Sequence, residues 1–129
     1  MLLDTSGLLS YFDVGSVNHK TADSLFKSTR LRLTHSYVLA EFIPLSDVRG
    51  FYRQRVLAFA KELISSPRVE IVWVNEVLHR AAFALLEARL DKTYSLCDAV
   101  SFVLMRERGL LDALTTDHHF EQEGFRKLL

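Results

Sequence analysis

Four acidic residues stand out by their surroundings. Asp4 follows the apolar run Met1-Leu2-Leu3, and Glu41 sits in the apolar segment Leu39-Ala40-Glu41-Phe42. Asp98 lies three positions after Ser95, and Asp117 follows Leu114-Thr115-Thr116. Carboxylates gathered at close quarters repel, and some must protonate unless a cation lies among them. An all-oxygen donor set favours Mg²⁺, with Mn²⁺ as the alternative. A cation so held lowers the pKa of water and neutralises charge on a phosphodiester under attack. The chemistry to which these residues point is metal-dependent phosphodiester hydrolysis.

Each acid also has a plainer explanation. Asp98 with Ser95 fits a capping box, in which the carboxylate serves a backbone N–H. Asp4 could cap a helix over Gly7–Asp13, and Asp117 could cap a turn at His118. Glu41 is the informative member, because a carboxylate between Ala40 and Phe42 in an apolar helix needs a partner. His118 and His119 follow Asp117 directly; the plain reading is an exposed polar pair, and the functional one has His118 contacting nucleic acid. Cys97 is expected to be a small buried residue, since no paired catalytic His is identifiable. Arg49, Arg53 and Arg55 are the first candidates for phosphate contacts, with Arg30, Arg32, Arg106 and Arg108 behind them; most such side chains cover solvated helix faces.

The elements that must position the acids alternate between strand-like and helix-like from end to end, which predicts an α/β domain with a mainly parallel sheet. Strands are expected at Met1–Leu3, Leu31–Leu33, Val69–Val74, Leu110–Thr115 and Phe125–Leu128. Helices are expected over Gly7–Asp13 and Asn18–Ser28, through Val38, Leu39, Phe42, Ile43 and Leu45, and over Phe51–Ile64. Further ones follow over Asn75–Leu90 and from Ser95 to Gly109, with a short turn at His118–Glu121. Open α/β sheets bind ligands outside the carboxyl ends of their strands. Asp4 and Asp117 each end a strand, Glu41 lies about two turns into the helix leaving strand two, and Asp98 lies in the first turn of the helix feeding strand four. Positions distant in sequence therefore converge on one sheet edge.

Composition sets the frame. The chain has 129 residues, which suits one domain over 1–129. Its 16 basic residues balance 16 acidic ones, so a nucleic-acid partner must be met by a local patch rather than by bulk charge. One cysteine excludes an intramolecular disulfide and a Cys-rich zinc site. With no expected leader and no apolar run near the roughly 18 residues of a membrane span, a cytoplasmic location and no membrane partner are expected.

Four pieces of this chain together resemble the PIN domain family, and most closely its VapC-type members from bacterial toxin–antitoxin systems. They are Leu3-Asp4-Thr5-Ser6, Leu39-Ala40-Glu41, Ser95-Leu96-Cys97-Asp98-Ala99, and Leu114-Thr115-Thr116-Asp117-His118-His119-Phe120, in the family's order and spacing. The resemblance implies a three-layer α/β/α fold with a five-stranded sheet in the order 3-2-1-4-5. It implies a Mg²⁺-dependent endoribonuclease acting on structured RNA, often tRNA, restrained by a cognate antitoxin; a homodimer is also expected, from the apolar rows of Phe51–Ile64. It makes Asp4, Glu41, Asp98 and Asp117 the metal-site acids, and Ser6 and Thr116 polar positions that orient the acids or water. Cys97 departs from the Thr or Ser that often precedes the third acid. The competing reading is a non-catalytic RNA-binding or protein-interaction module on the same fold.

Overall fold

Period-two alternation begins at the first strand and sets the layers. The computed structural model describes residues 1–129. In β1 (Leu2–Leu3), Leu2 joins the apolar core on one face of the sheet and Leu3 the core on the other. Strands buried on both faces need helices on both, and these are α1 (Thr5–Phe12), α2 (His19–Ser28), α3 (Ser36–Val48) and α4 (Arg53–Ser65) on the Leu3 side. On the Leu2 side lie α5 (Glu76–Glu87), α6 (Leu96–Glu107) and the short α7 (His119–Gln122). Phe102 and Phe120 anchor the Leu2 side, and Phe42 the other; all three are fully buried.

The remaining strands are β2 (Arg32–His35), β3 (Val69–Val72), β4 (Asp112–Leu114) and β5 (Arg126–Lys127). They order as β3-β2-β1-β4-β5, and every pairing is parallel. The order and the α/β/α layering agree with the expectation. No helix is long and apolar enough to cross a membrane.

Among the boundaries that differ from expectation, α5 ends at Glu87 rather than Leu90, and β2 runs through Thr34 and His35 rather than stopping at Leu33. Both residues are polar yet fully buried, and both are satisfied. Thr34 Oγ1 donates to Leu3 O at 2.8 Å, and His35 Nε2 pairs with Ser101 Oγ on α6 at 2.8 Å. His35 also caps α3, its Nδ1 accepting from Val38 N at 3.4 Å. The Nδ1 that accepts is unprotonated, so Nε2 carries the proton and donates to Ser101.

Chain and sheet approach most closely at Gly7. A Cβ there would lie 1.8 Å from Leu114 O, so only glycine lets α1 pack onto β4. This contact sets Asp4, at the amino end of α1, against the carboxyl end of β4.

Candidate active site

The sheet's carboxyl edge gathers the acids through the elements that carry them. Asp4 follows β1, and its N–H donates to Leu114 O at 3.2 Å, so the backbone itself ties it to β4. It stands at the N-cap of α1 but makes no side-chain cap bond. Its carboxylate is instead gripped by hydroxyls: Thr115 Oγ1 donates to Oδ2 at 2.8 Å and Ser6 Oγ donates to the same oxygen at 3.0 Å. Burial raises the Asp4 pKa to about 6, against the opposing pull of these hydroxyls and with the Asp98 charge adding to the rise.

Ser6 thus makes the contact expected of it, and Thr116 does not. Thr116 is exposed and contributes only its backbone N–H, which donates to Ser6 Oγ at 3.0 Å. The inward hydroxyl belongs to Thr115, which is fully buried. Alternation along the end of β4 sends successive side chains to opposite sides, so a one-residue error exchanges the buried threonine for the exposed one.

Asp98 combines two roles. The capping box is present, with Ser95 N donating to Asp98 Oδ2 at 2.9 Å and Asp98 N donating to Ser95 Oγ at 3.0 Å. The cap engages Oδ2, and Oδ1 forms no hydrogen bond within the chain. Burial is the main cause of a raised Asp98 pKa, with the Asp117 charge adding to it and the Ser95 N–H opposing.

Asp117 is partly exposed and also caps, its Oδ1 accepting from His119 N at 2.9 Å. Its own N–H donates to Thr115 Oγ1 at 3.0 Å, so one threonine links Asp4 to Asp117. Glu41 is corrected in its reason rather than its place. The helix presents Ala40 and Glu41 to solvent, so no burial forces a partner on this carboxylate. It nonetheless turns toward the site, where Thr5 Oγ1 donates to its Oε2 at 3.2 Å. The half-buried Cys97 thiol registers the cluster: burial pushes its pKa up, and Glu41, Asp4 and Asp98 push it further. It is no thiolate nucleophile.

The two histidines differ, which their adjacency in sequence conceals. The His118 side chain is 66% exposed and that of His119 is 16% exposed. His119 Nδ1 lies 3.2 Å from Asp117 Oδ1 and 3.5 Å from Asp98 Oδ2, without hydrogen-bond alignment to either, and Nε2 pairs with Thr93 Oγ1 at 3.1 Å. The signal that finds it is helical: α7 turns Phe120 into the core and carries His119 inward with it. Asp117, His118 and His119 are also the residues whose potential ligand atoms all fall within 4.8 Å of one another. Asp98 couples electrostatically to Asp4 and to Asp117, but the four acids do not close to that distance as a set.

The arginines divide. Arg49 and Arg55 are exposed, Arg55 over the Phe12 ring, whereas Arg53 is ion-paired with Asp47. Arg106 and Arg108 pair with Glu123 and Glu70.

Residues 1–125 match the PIN domain, and the chain belongs to that family. It is 32% identical over 126 residues to the 23S rRNA-specific endonuclease VapC20 of Mycobacterium tuberculosis, in two strains, covering 97% of this chain and 95% of that protein. The crystal structure of VapC20 from that organism, described as a Sarcin-Ricin loop cleaving toxin, superposes with a TM-score of 0.88 at 29% identity, over 98% of this chain and 96% of the other.

Proposed function

We propose that this protein is a Mg²⁺-dependent endoribonuclease of toxin type, hydrolysing a phosphodiester in a structured RNA. The observation that carries the reading is Asp4, a carboxylate 5% exposed, with a pKa near 6 and both its hydroxyl partners on one oxygen. Burying an acid beside Asp98, with no cationic side chain bonded to it, is costly unless a cation joins them. Asp4, Asp98 and Asp117 would hold that cation, with Glu41 at the outer rim, and the oxygen donor set fits Mg²⁺ or Mn²⁺. Bound there, the ion would acidify water for attack and neutralise charge on the phosphodiester.

The chain's own residues do the remaining work. Thr115 and Ser6 fix Asp4 Oδ2 and so orient the carboxylate. The capping box holds Asp98 at the amino terminus of α6, where backbone N–H groups and the helix dipole favour a bound phosphate. His119 Nδ1 lies 3.5 Å from Asp98 and 3.2 Å from Asp117, beside both carboxylates. The rRNA specificity of VapC20 favours a ribosomal RNA loop over tRNA as the target. A protein antitoxin is the expected regulator, and exposed Tyr52, Leu57 and Ile64 on and beside α4 leave apolar surface for it or for a second copy.

Purified protein should cleave ribosomal RNA in millimolar Mg²⁺ or Mn²⁺ and stop in EDTA. Asp4→Asn and Asp98→Asn should each lower the rate by at least about a hundredfold, the scale of a lost charge-stabilising group. Full activity in either variant would sink the proposal. The alternative, a non-catalytic binding module, draws support from the cap bonds of Asp98 and Asp117. It predicts RNA binding with no metal-dependent cleavage.

A further inference from the structure

The pole opposite the acids carries a second concavity. It has a volume of about 310 Å³, contains no apolar residue, and is lined by Lys27, Ser28, Thr29, Arg30, Arg32 and Arg68. These residues come from the end of α2, the start of β2 and the turn before β3, which places the pocket at the sheet's amino edge. Four of the six are cations and none is an acid. Asp23 pairs with Lys27, but Arg30, Arg32 and Arg68 form no ion pair.

Arg32 is the informative member, being 4% exposed. Its Nε donates to Phe26 O, Nη1 to Arg68 O at 3.3 Å and Nη2 to Lys27 O at 3.3 Å, while the guanidinium lies 4.7 Å from the centre of the Phe26 ring. Carbonyls and a ring satisfy three of its five N–H groups and orient it, and the Phe26 and Lys27 carbonyls, in the last turn of α2, offset part of its charge. Arg32 is thereby fixed in the pocket lining beside exposed Arg30 and Arg68, and no carboxylate in that lining neutralises the three guanidiniums, so the pocket is electrostatically suited to an anion.

We propose that this pocket binds a phosphodiester of the RNA backbone remote from the scissile bond. The proposal rests on the nuclease reading above. With zero net charge, the chain has no bulk attraction for RNA, and the acidic edge repels phosphates until a cation is bound. A grip must therefore come from a cationic patch away from the acids. The two poles are separated by the length of β2 and its turns, roughly 15 Å, a span that a folded RNA bridges with phosphates on its two flanks. The wholly polar lining suits a phosphodiester better than a peptide, which needs apolar anchors.

The test is binding of a fluorescent ribosomal RNA hairpin in EDTA, followed by anisotropy across a salt series. Arg30→Ala/Arg68→Ala changes two exposed side chains and leaves buried Arg32 in place. The double variant should bind about tenfold more weakly at moderate salt, with the log–log salt slope reduced by about 1 to 2. In Mg²⁺ its KM for the hairpin should rise while kcat holds. An unchanged slope and KM overturns the proposal. Inorganic phosphate that raises the wild-type Tm above an equal ionic strength of chloride, with the RNA slope unaltered, overturns the RNA assignment in favour of a small-anion site. Competition by polyglutamate equal to that of polyuridylate also overturns it, by showing a patch indifferent to phosphate. Because binding is read without metal, a wild-type protein that binds RNA but never cleaves defeats the nuclease reading alone. Asp4-dependent cleavage with an unaltered slope defeats the pocket alone.

Discussion

Under the proposed function, Asp4 sets stability against metal binding within a single side chain. Its folded pKa, near 6, stands above its ordinary value of 3.8, so its contribution to stability is full below pH 3.8 and is lost as pH rises through 6. In metal-free buffer at pH 7.5, Asp4→Asn should therefore stabilise the fold by about 3 kcal/mol, at about 1.4 kcal/mol per pKa unit, and raise the Tm accordingly. The same substitution should abolish the Tm gain that Mg²⁺ or Mn²⁺ gives the wild type. Thermal melts of both proteins with EDTA and with metal would check this, and a wild type more stable than Asp4→Asn in EDTA would contradict it. At this scale the sequence was partly legible. A carboxylate after a short apolar run identifies Asp4, because strand ends and sheet edges follow from periodicity. Nothing local separates Thr115 from Thr116 or His119 from His118, because the difference is which way a side chain points, and that is set by docking of β4 and α7.

At the scale of elements, α1 and β4 meet through Gly7. Gly7→Ala would drive a methyl group into Leu114 O, and backbone cannot yield as a flexible side chain does. The variant should lose about 3 kcal/mol or more, read as a fall in the urea midpoint, whereas Gly15→Ala, in an exposed turn where a Cβ would meet only the Asp13 side chain at 3.3 Å, should change it by less than about 1 kcal/mol. Equal effects at the two glycines would refute the close approach. Strand number, order and helix placement were readable because buried parallel strands are short apolar runs between amphipathic helices. The end of β2 was not, since Thr34 and His35 look like solvated residues until their partners, Leu3 O and Ser101, are seen. Glu41 shows the converse. Apolar neighbours in sequence suggested burial, yet the helix turns Ala40 and Glu41 outward together.

For the molecule as a whole, His35 bridges layers that the sheet alone does not join, bonding β2 to α6 and capping α3. Burial lowers its pKa from 6.5 to about 3. A base with a depressed folded pKa contributes stability above its unfolded value, and that contribution is lost as pH falls from 6.5 toward 3. The Tm of the wild type should fall steeply on this acid limb, and that of His35→Gln should start lower at pH 7.5 but fall less; parallel limbs would show that His35 does not govern it. Asp4 acts in the opposite sense between pH 4 and 6, so the double variant separates the two.

The central position of β1 has a last consequence, for the order in which the proposed site is assembled as the chain is made. Asp4 is made more than a hundred residues before its hydroxyl partner Thr115 and its neighbour Asp117. During synthesis β1 can pair with β2 on one side while its other edge, against β4, stands open. A half-made chain holds the first acid without its surroundings. Under the proposed function, cutting activity arrives only once β4 and Asp117 have been made and have docked, which leaves the interval of their synthesis for a restraining partner to be at hand.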